Sequence, residues 1–203
     1  MTGYRVVNLA LLIEELGEDA AKSILSNFSC PLNPDVEFFL SKKAIEFAKQ
    51  GWAQTHLVFA SYKDVPVLVG YFALCNKTIC VPGKSLSQTL KKRLAQFATY
   101  DSNTKAYVLS APLIAQLGKN YYNGHDQLIT GDELLDQACS KIGKIQFDLG
   151  GKFTYIECED KPKLIDFYAR NGFCKFDIRK LDRDETEMLH GEYLVQMLKY
   201  IHK

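Results

Sequence analysis

The sequence predicts a mixed α/β fold in which one sheet carries helices on both faces. Three observations predict it. Two β-rich runs, Thr55 to Ser61 and Val67 to Leu74, flank the turn-forming stretch Tyr62 to Pro66, which makes an antiparallel hairpin. After the hairpin, helix and strand patterns alternate, and strand–helix–strand units place parallel neighbours in a sheet. The chain has 203 residues, 47% hydrophobic and 24% charged. That suffices for one domain with its own core and no metal or disulfide staple.

The elements follow in order. Residues 1–28 read as a helical N-terminal segment: Leu9, Leu12, Ile13 and Leu16 recur at helical spacing, Gly17 breaks the run, and Ala20 to Phe28 makes a second short helix. From Asn33 to Gly51 the helix signals agree. Asn33 can cap, Pro34 suits the first position, Asp35 and Glu37 favour the positive end, and Gly51 stops the helix. Lys77 to Lys84 is a polar excursion. Leu86, Leu90, Leu94 and Phe97 mark a helix, and Thr99 to Lys105 a loop. Tyr107 to Lys119 is a long strand in which Pro112 suggests an edge or a bulge. A loop from Asn120 to Ile129 leads to Thr130-Gly131-Asp132-Glu133, the spacing of a capping box, and to a helix carrying Leu134, Leu135, Ala138, Ile142 and Ile145. Phe153 to Glu159 alternates as a strand. Asp160 caps a short helix, Lys163 to Arg170, which ends at Gly172. Strands Phe173 to Ile178 and Tyr193 to Leu198 close the chain, with a charged loop, Asp182 to Glu187, between them.

Composition excludes several classes. No apolar run reaches the roughly 18 residues of a membrane span, and Met1 to Asn8 lacks the pattern of a signal peptide. Net charge is +1, so any nucleic-acid contact must use a local patch. The six cysteines have no C-x-x-C spacing, which speaks against a zinc or redox pair and for buried, reduced thiols in a cytoplasmic protein.

Three places carry chemistry. The helix start at Gly131 offers free amides and partial positive charge to a phosphate; the plainer reading is an ordinary capped helix, which Asp132 and Glu133 favour. In Phe167-Tyr168-Ala169-Arg170-Asn171-Gly172-Phe173 an aromatic pair precedes a tight turn, which also reads as core packing. Lys91, Lys92 and Arg93, with Lys84 and Lys105 nearby, are either a solvated helix face or a contact for an RNA backbone. Glu157, Glu159, His56 and His125 are candidate bases with structural alternatives.

Tyr155-Ile156-Glu157-Cys158, then Leu164, then Phe167-Tyr168-x-x-x-Gly172-Phe173 resembles the last strand–helix–strand of GNAT superfamily N-acetyltransferases. Upstream, Phe28-x-Cys30, the helix Asp35 to Gly51, Val69-Gly70-Tyr71-Phe72-Ala73-Leu74 and Gln116-Leu117-Gly118-Lys119-Asn120 are similar to the tRNA-acetylating toxin branch of that superfamily. The resemblance covers about residues 28 to 198. It implies a single GNAT-like domain with a mostly antiparallel central sheet, and acetyl-CoA as acetyl donor. Leu117, Gly118 and Lys119 would pair with the pantetheine, Ile129, Thr130, Gly131 and Asp132 would face the diphosphate, and Phe167 would contact the cofactor. Tyr168 would protonate the leaving thiolate, and Glu157 would serve as base through water. The implied acceptor is a primary amine, the α-amine of a charged tRNA among the candidates, with an antitoxin partner and a homodimer as family expectations. The pyrophosphate loop departs from the family pattern. Its positions match Asp126, Ile129 and Gly131, and Asp132 stands where a basic residue is frequent. That departure favours the competing reading, a non-catalytic binding module; acetylation of a small-molecule or protein amine is a further alternative.

Overall fold

Residues 3–182 and 191–202 are described by a computed structural model of the chain. Among them the fold is mixed α/β, with eight strands in a mostly antiparallel sheet and seven α-helices. The first half runs β1 (Arg5–Asn8), α1 (Leu9–Leu16), α2 (Glu18–Leu25), α3 (Pro34–Phe38), α4 (Ala44–Gln50), β2 (Gln54–Tyr62) and β3 (Val65–Pro82). It continues with α5 (Gln88–Leu94), β4 (Thr99–Asp101), β5 (Ala106–Lys119), α6 (Gly131–Leu149), β6 (Phe153–Glu159), α7 (Pro162–Arg170), β7 (Cys174–Lys180) and β8 (Tyr193–Tyr200). The chain divides into two compact units, residues 1–75 with 114–138, and residues 76–113 with 139–203.

In the first unit β2 pairs antiparallel with β1 and with β3. The expected hairpin turn is tight: Lys63 and Asp64 have φ of 51° and 62°, the two left-handed residues of a type I′ connection, whose twist matches the strands. Asn33 accepts from the amides of Asp35 and Val36, Pro34 opens α3, and Gly51 ends α4 at φ 71°. A π-helical turn, Phe39–Lys43, joins the two helices. Leu9, Leu25, Phe28, Val36, Phe39, Leu40, Leu57 and Tyr71 form the core. One expectation fails here. The N-terminal segment is not wholly helical, because Arg5–Asn8 pairs with His56 to Phe59 as a strand and helix begins only after Asn8, which caps α1. Four residues are too few to show a period, and their partners lie some 50 positions away.

The second unit corrects more of the reading. β3 continues to Pro82 where a polar excursion was expected: buried Ile79 and Val81 alternate with exposed neighbours. Ser87 caps α5. The loop expected at Thr99 to Lys105 contains β4, which pairs with β5 through Tyr100 and Tyr107. Pro112 sits inside β5, a strand between β3 and β6 rather than an edge, and its carbonyl accepts from Thr154 Oγ1 at 2.9 Å. β6 and β7 each pair antiparallel with β8. α7 opens at Pro162 after Lys161, with no side-chain cap, so Asp160 does not cap it. Of the charged loop Asp182 to Glu187, residues 183–187 lie outside the described residues.

Candidate active site

In the first unit the expected cofactor residues lie at and beyond the end of β5. Gly118 is buried, and a Cβ there would stand 2.3 Å from Val36 Cγ1. A Cβ on Gly70 would stand 2.8 Å from the Gly118 carbonyl. Gly70 therefore permits a close approach of two backbones, and Gly118 the close packing of the Val36 side chain on its own backbone. Gln116 Nε2 donates to Asp35 Oδ2 at 2.8 Å.

The residue that organises this end is Asn120, which the sequence places at the end of the Gln116–Asn120 motif and the start of a loop without marking its role. It is fully buried. Its Oδ1 accepts from the amides of Ser29 and Tyr122, both at 3.0 Å. Its Nδ2 donates to the carbonyls of Asn27 and Leu68 at 2.7 and 2.8 Å, and its own amide donates to Val69 at 2.8 Å. A buried side-chain amide with every polar atom bonded fixes one local geometry. Glu37 adds to it: Oε2 accepts from Ser29 Oγ and the Cys30 amide. No signal in the local sequence marks Asn120, because its partners come from segments as far as 93 residues away.

The loop after Asn120 is a 3-10 segment, Tyr122–Leu128, with Asn123 and Gly124 at φ 52° and 73°. Lys119 Nζ reaches along it, donating to the carbonyls of Asp126 at 2.7 Å and Ile129 at 3.1 Å. Tyr4 donates to the Leu128 carbonyl. His125 Nδ1 is buried here without a hydrogen-bond partner among the described residues. The capping box forms as expected: Glu133 Oε2 accepts from the Thr130 amide and hydroxyl, each at 2.8 Å, and the Glu133 amide donates to Thr130 Oγ1. These bonds, from the Thr130 amide first, hold the Glu133 carboxyl below its usual range. They also change the site. The Thr130 amide is already satisfied by Glu133, so it is not open to a phosphate at this helix start.

In the second unit the expected catalytic residues lie on β6 and α7. Tyr168 is the hub of an aromatic set: its ring meets Phe167 edge-on at 4.9 Å and Phe173 edge-on at 5.7 Å. Gly172, at φ 83°, turns the chain so that Phe173 folds back, and the Phe173 amide bonds the Tyr168 carbonyl at 3.1 Å. Burial, reinforced by nearby Cys158, pushes the Tyr168 phenol well above its ordinary value, and burial pushes the Cys158 thiol up to about 11. Tyr168 is therefore protonated at neutral pH. Arg170 lies over the Phe167 ring at 5.0 Å.

Glu157 is committed elsewhere. Its Oε2 pairs with Arg179 Nε and its Oε1 accepts from Gln196 Nε2, both at 2.7 Å. A carboxylate held at both oxygens serves the sheet before it serves as a base. Glu159 pairs with Lys161 at 2.7 Å. His56 stacks on Phe72 at 5.0 Å and is a core residue. The basic trio also divides: Arg93 lies over Tyr200 at 4.8 Å, whereas Lys91 faces a cavity with Lys84 and Lys105.

The fold is like that of solved bacterial toxins. Its likeness to solved structures is full-length but remote in sequence. AtaT complexed with acetyl-methionyl-tRNAfMet matches with a TM-score of 0.61 at 13% identity, over 95% of this chain and 94% of that one. A tyrosine-to-phenylalanine variant of KacT matches with a TM-score of 0.61 at 15% identity, over 97% and 94%. A tyrosine-to-phenylalanine variant of the AtaT toxin, bound to the C-terminus of the antitoxin AtaR and acetyl-CoA, matches with a TM-score of 0.58 at 14% identity, over 98% and 93%. No family model and no curated protein matches the chain. Among the described residues no helix is long and apolar enough to cross a membrane.

Proposed function

We propose that the chain works as a single GNAT-like domain that transfers an acetyl group from acetyl-CoA to a primary amine, the α-amine of a charged tRNA. The observation that carries this reading is Tyr168, a half-buried phenol packed against the rings of Phe167 and Phe173 at the Asn171-Gly172 turn. An acid that hands a proton to a leaving thiolate must carry that proton at working pH, as a phenol does, and be held in a fixed place.

Bound acetyl-CoA would supply the activated thioester. The backbone of Leu117, Gly118 and Lys119 would hold its extended arm, and the amides of Ile129, Gly131 and Asp132 its diphosphate, on a loop that Lys119 already ties down. The orphaned His125 Nδ1 fits a polar group bound against that loop. Tyr168 Oη holds the proton that the departing sulfur takes. An α-amine, with a pKa near 7.7 to 8.0, has a sizeable neutral fraction near neutral pH and needs less help from a base than a lysine with a pKa near 10.4, which agrees with Glu157 being held in a structural pair. The likeness to AtaT, solved with acetyl-methionyl-tRNAfMet, supports the acceptor, and that to AtaT with AtaR supports an antitoxin partner.

One observation favours a second reading, a non-catalytic binding module. The Glu133 carboxylate caps the helix start and Asp132 adds a second negative charge where a diphosphate would sit. One experiment separates the two. Thiol release from acetyl-CoA is followed with charged tRNA as acceptor, for the wild type and for Tyr168→Phe. Transferase action predicts turnover that falls about 10²-fold in the variant, the scale of lost acid catalysis. Absence of turnover in the wild type favours the module.

A further inference from the structure

Apart from the residues placed above, the second unit contains a cavity of about 510 Å3, within the range of small-molecule sites. Local chemistry builds it. Beyond β3 the chain turns at Gly83–Ser85, and Ser87 caps α5, which carries Lys91. β4 returns against β5 with Tyr100 opposite Tyr107. The turn between those strands is closed by Asp101, which accepts from the Asn103 amide at 2.9 Å and from Thr104 Oγ1 at 2.7 Å. It ends at Lys105, held at φ 53°, with the Lys105 carbonyl accepting from the Gly83 amide at 3.0 Å. A non-glycine residue in the left-handed region is uncommon and is retained where the surrounding structure fixes it.

The outcome is a cavity with three lysines from three separate elements, Lys84, Lys91 and Lys105, and no carboxylate among its lining residues. None of the three has an ion-pair partner among the described residues. Like charges brought together without a counter-charge suit an anion. Beside them Tyr100, half exposed, and Tyr107 form an aromatic pair with centroids 5.1 Å apart and planes tilted by 58°, a platform on which a planar ring can stack.

We propose that this cavity binds a nucleotide, its base against Tyr100 and Tyr107 and its phosphate among Lys84, Lys91 and Lys105. Such a nucleotide is either free or part of a single-stranded RNA. Aromatic faces with adjacent cations are the general means of holding single-stranded nucleic acid without reading sequence. The inference deepens the acceptor reading above, and rests on it only in taking RNA as the source of the nucleotide.

The test measures binding of a short fluorescein-labelled single-stranded RNA by anisotropy across a salt series, with AMP as competitor. Tyr100→Ala should weaken binding about tenfold with an unchanged salt slope, since a stacked base contributes roughly that much. K84Q/K91Q/K105Q should flatten the slope by about 2, near 0.7 per phosphate contact on a single strand. Circular dichroism checks that both variants are folded. Displacement by AMP assigns the site to the nucleotide itself; RNA binding that AMP does not displace assigns it to a strand. Wild-type affinity and slope in both variants, or no binding of either probe to the wild type, overturns the proposal. Calorimetry with acetyl-CoA on the same wild-type protein reads the transferase proposal separately, so either can fail alone.

Discussion

The two units hold their candidate site residues by different means. At the end of β5 in the first unit, geometry is set by polar groups and by missing side chains: Asn120 bonds four partners through its amide group, Glu37 ties down Ser29 and Cys30, Lys119 ties down the loop at Asp126 and Ile129, Gly70 lets two backbones meet and Gly118 makes room for Val36. At the α7 turn in the second unit, geometry is set by rings: Phe167, Tyr168 and Phe173 pack edge to face around one glycine. The difference matches the tasks proposed for them. A site made of backbone amides needs the main chain fixed from outside by buried hydrogen bonds. An acid that is protonated in any case needs a rigid surrounding that aims it.

The comparison can be broken at each end. The largest effect is expected from Asn120→Ala, which removes the partner of the Ser29 and Tyr122 amides and of the Asn27 and Leu68 carbonyls, the last of them buried. At about 1–3 kcal/mol for each unsatisfied group, and less than additive, the loss should be about 3 kcal/mol or more in denaturant unfolding. A loss under 1 kcal/mol would mean that water replaces the side chain and that the network does not fix the strand end. Tyr168→Phe comes next: it keeps the rings and removes the proton, so stability and acetyl-CoA affinity should hold while turnover drops about 10²-fold, about 2.7 kcal/mol of barrier. A variant that loses stability instead makes the hydroxyl structural. Gly118→Ala should cost about 1–3 kcal/mol as overpacking against Val36, with weaker acetyl-CoA binding; unchanged stability would show that α3 yields.

The smallest effect is at the surface of the first unit. Glu18 accepts from Lys22 at 2.7 Å and from Lys49, and these bonds lower its carboxyl from 4.5 to about 2. A depressed pKa means a contribution present above about 4.5 and lost as pH falls to about 2. The pair is exposed, so Glu18→Gln should change the unfolding midpoint slightly at pH 7 and progressively less as pH falls through about 2. An equal change at both pH values would exclude the ion pair as its source.

What was legible in the sequence follows the same division. Signals that act within one element were readable: the Asn33 cap with Pro34, the Thr130–Glu133 box, the span of β6, and the Phe167-Tyr168 spacing before Gly172. Features that depend on distant partners were not. β1 is a strand because β2 supplies its hydrogen bonds, and Asn120 is structural because Asn27, Ser29 and Leu68 surround it. The extension of β3 was available in part, since Thr78-Ile79-Cys80-Val81 alternates, but polar Asn76 and Lys77 hid it. Glu157 was read as a candidate base from its position at a strand end; its pairing with Arg179 and Gln196 needed the register of three strands.

Acetyl-CoA, if it is the donor as proposed, binds despite the carboxylates at the start of α6. Calorimetric titration of the wild-type protein with acetyl-CoA tests that binding most directly, with the intact mass checked for co-purified cofactor. The account predicts micromolar affinity or tighter, about −8 kcal/mol, with the strand-end backbone and the amides beside Thr130 sufficient for binding. No heat at millimolar acetyl-CoA, from protein free of cofactor, would contradict it and leave Tyr168 a packing residue.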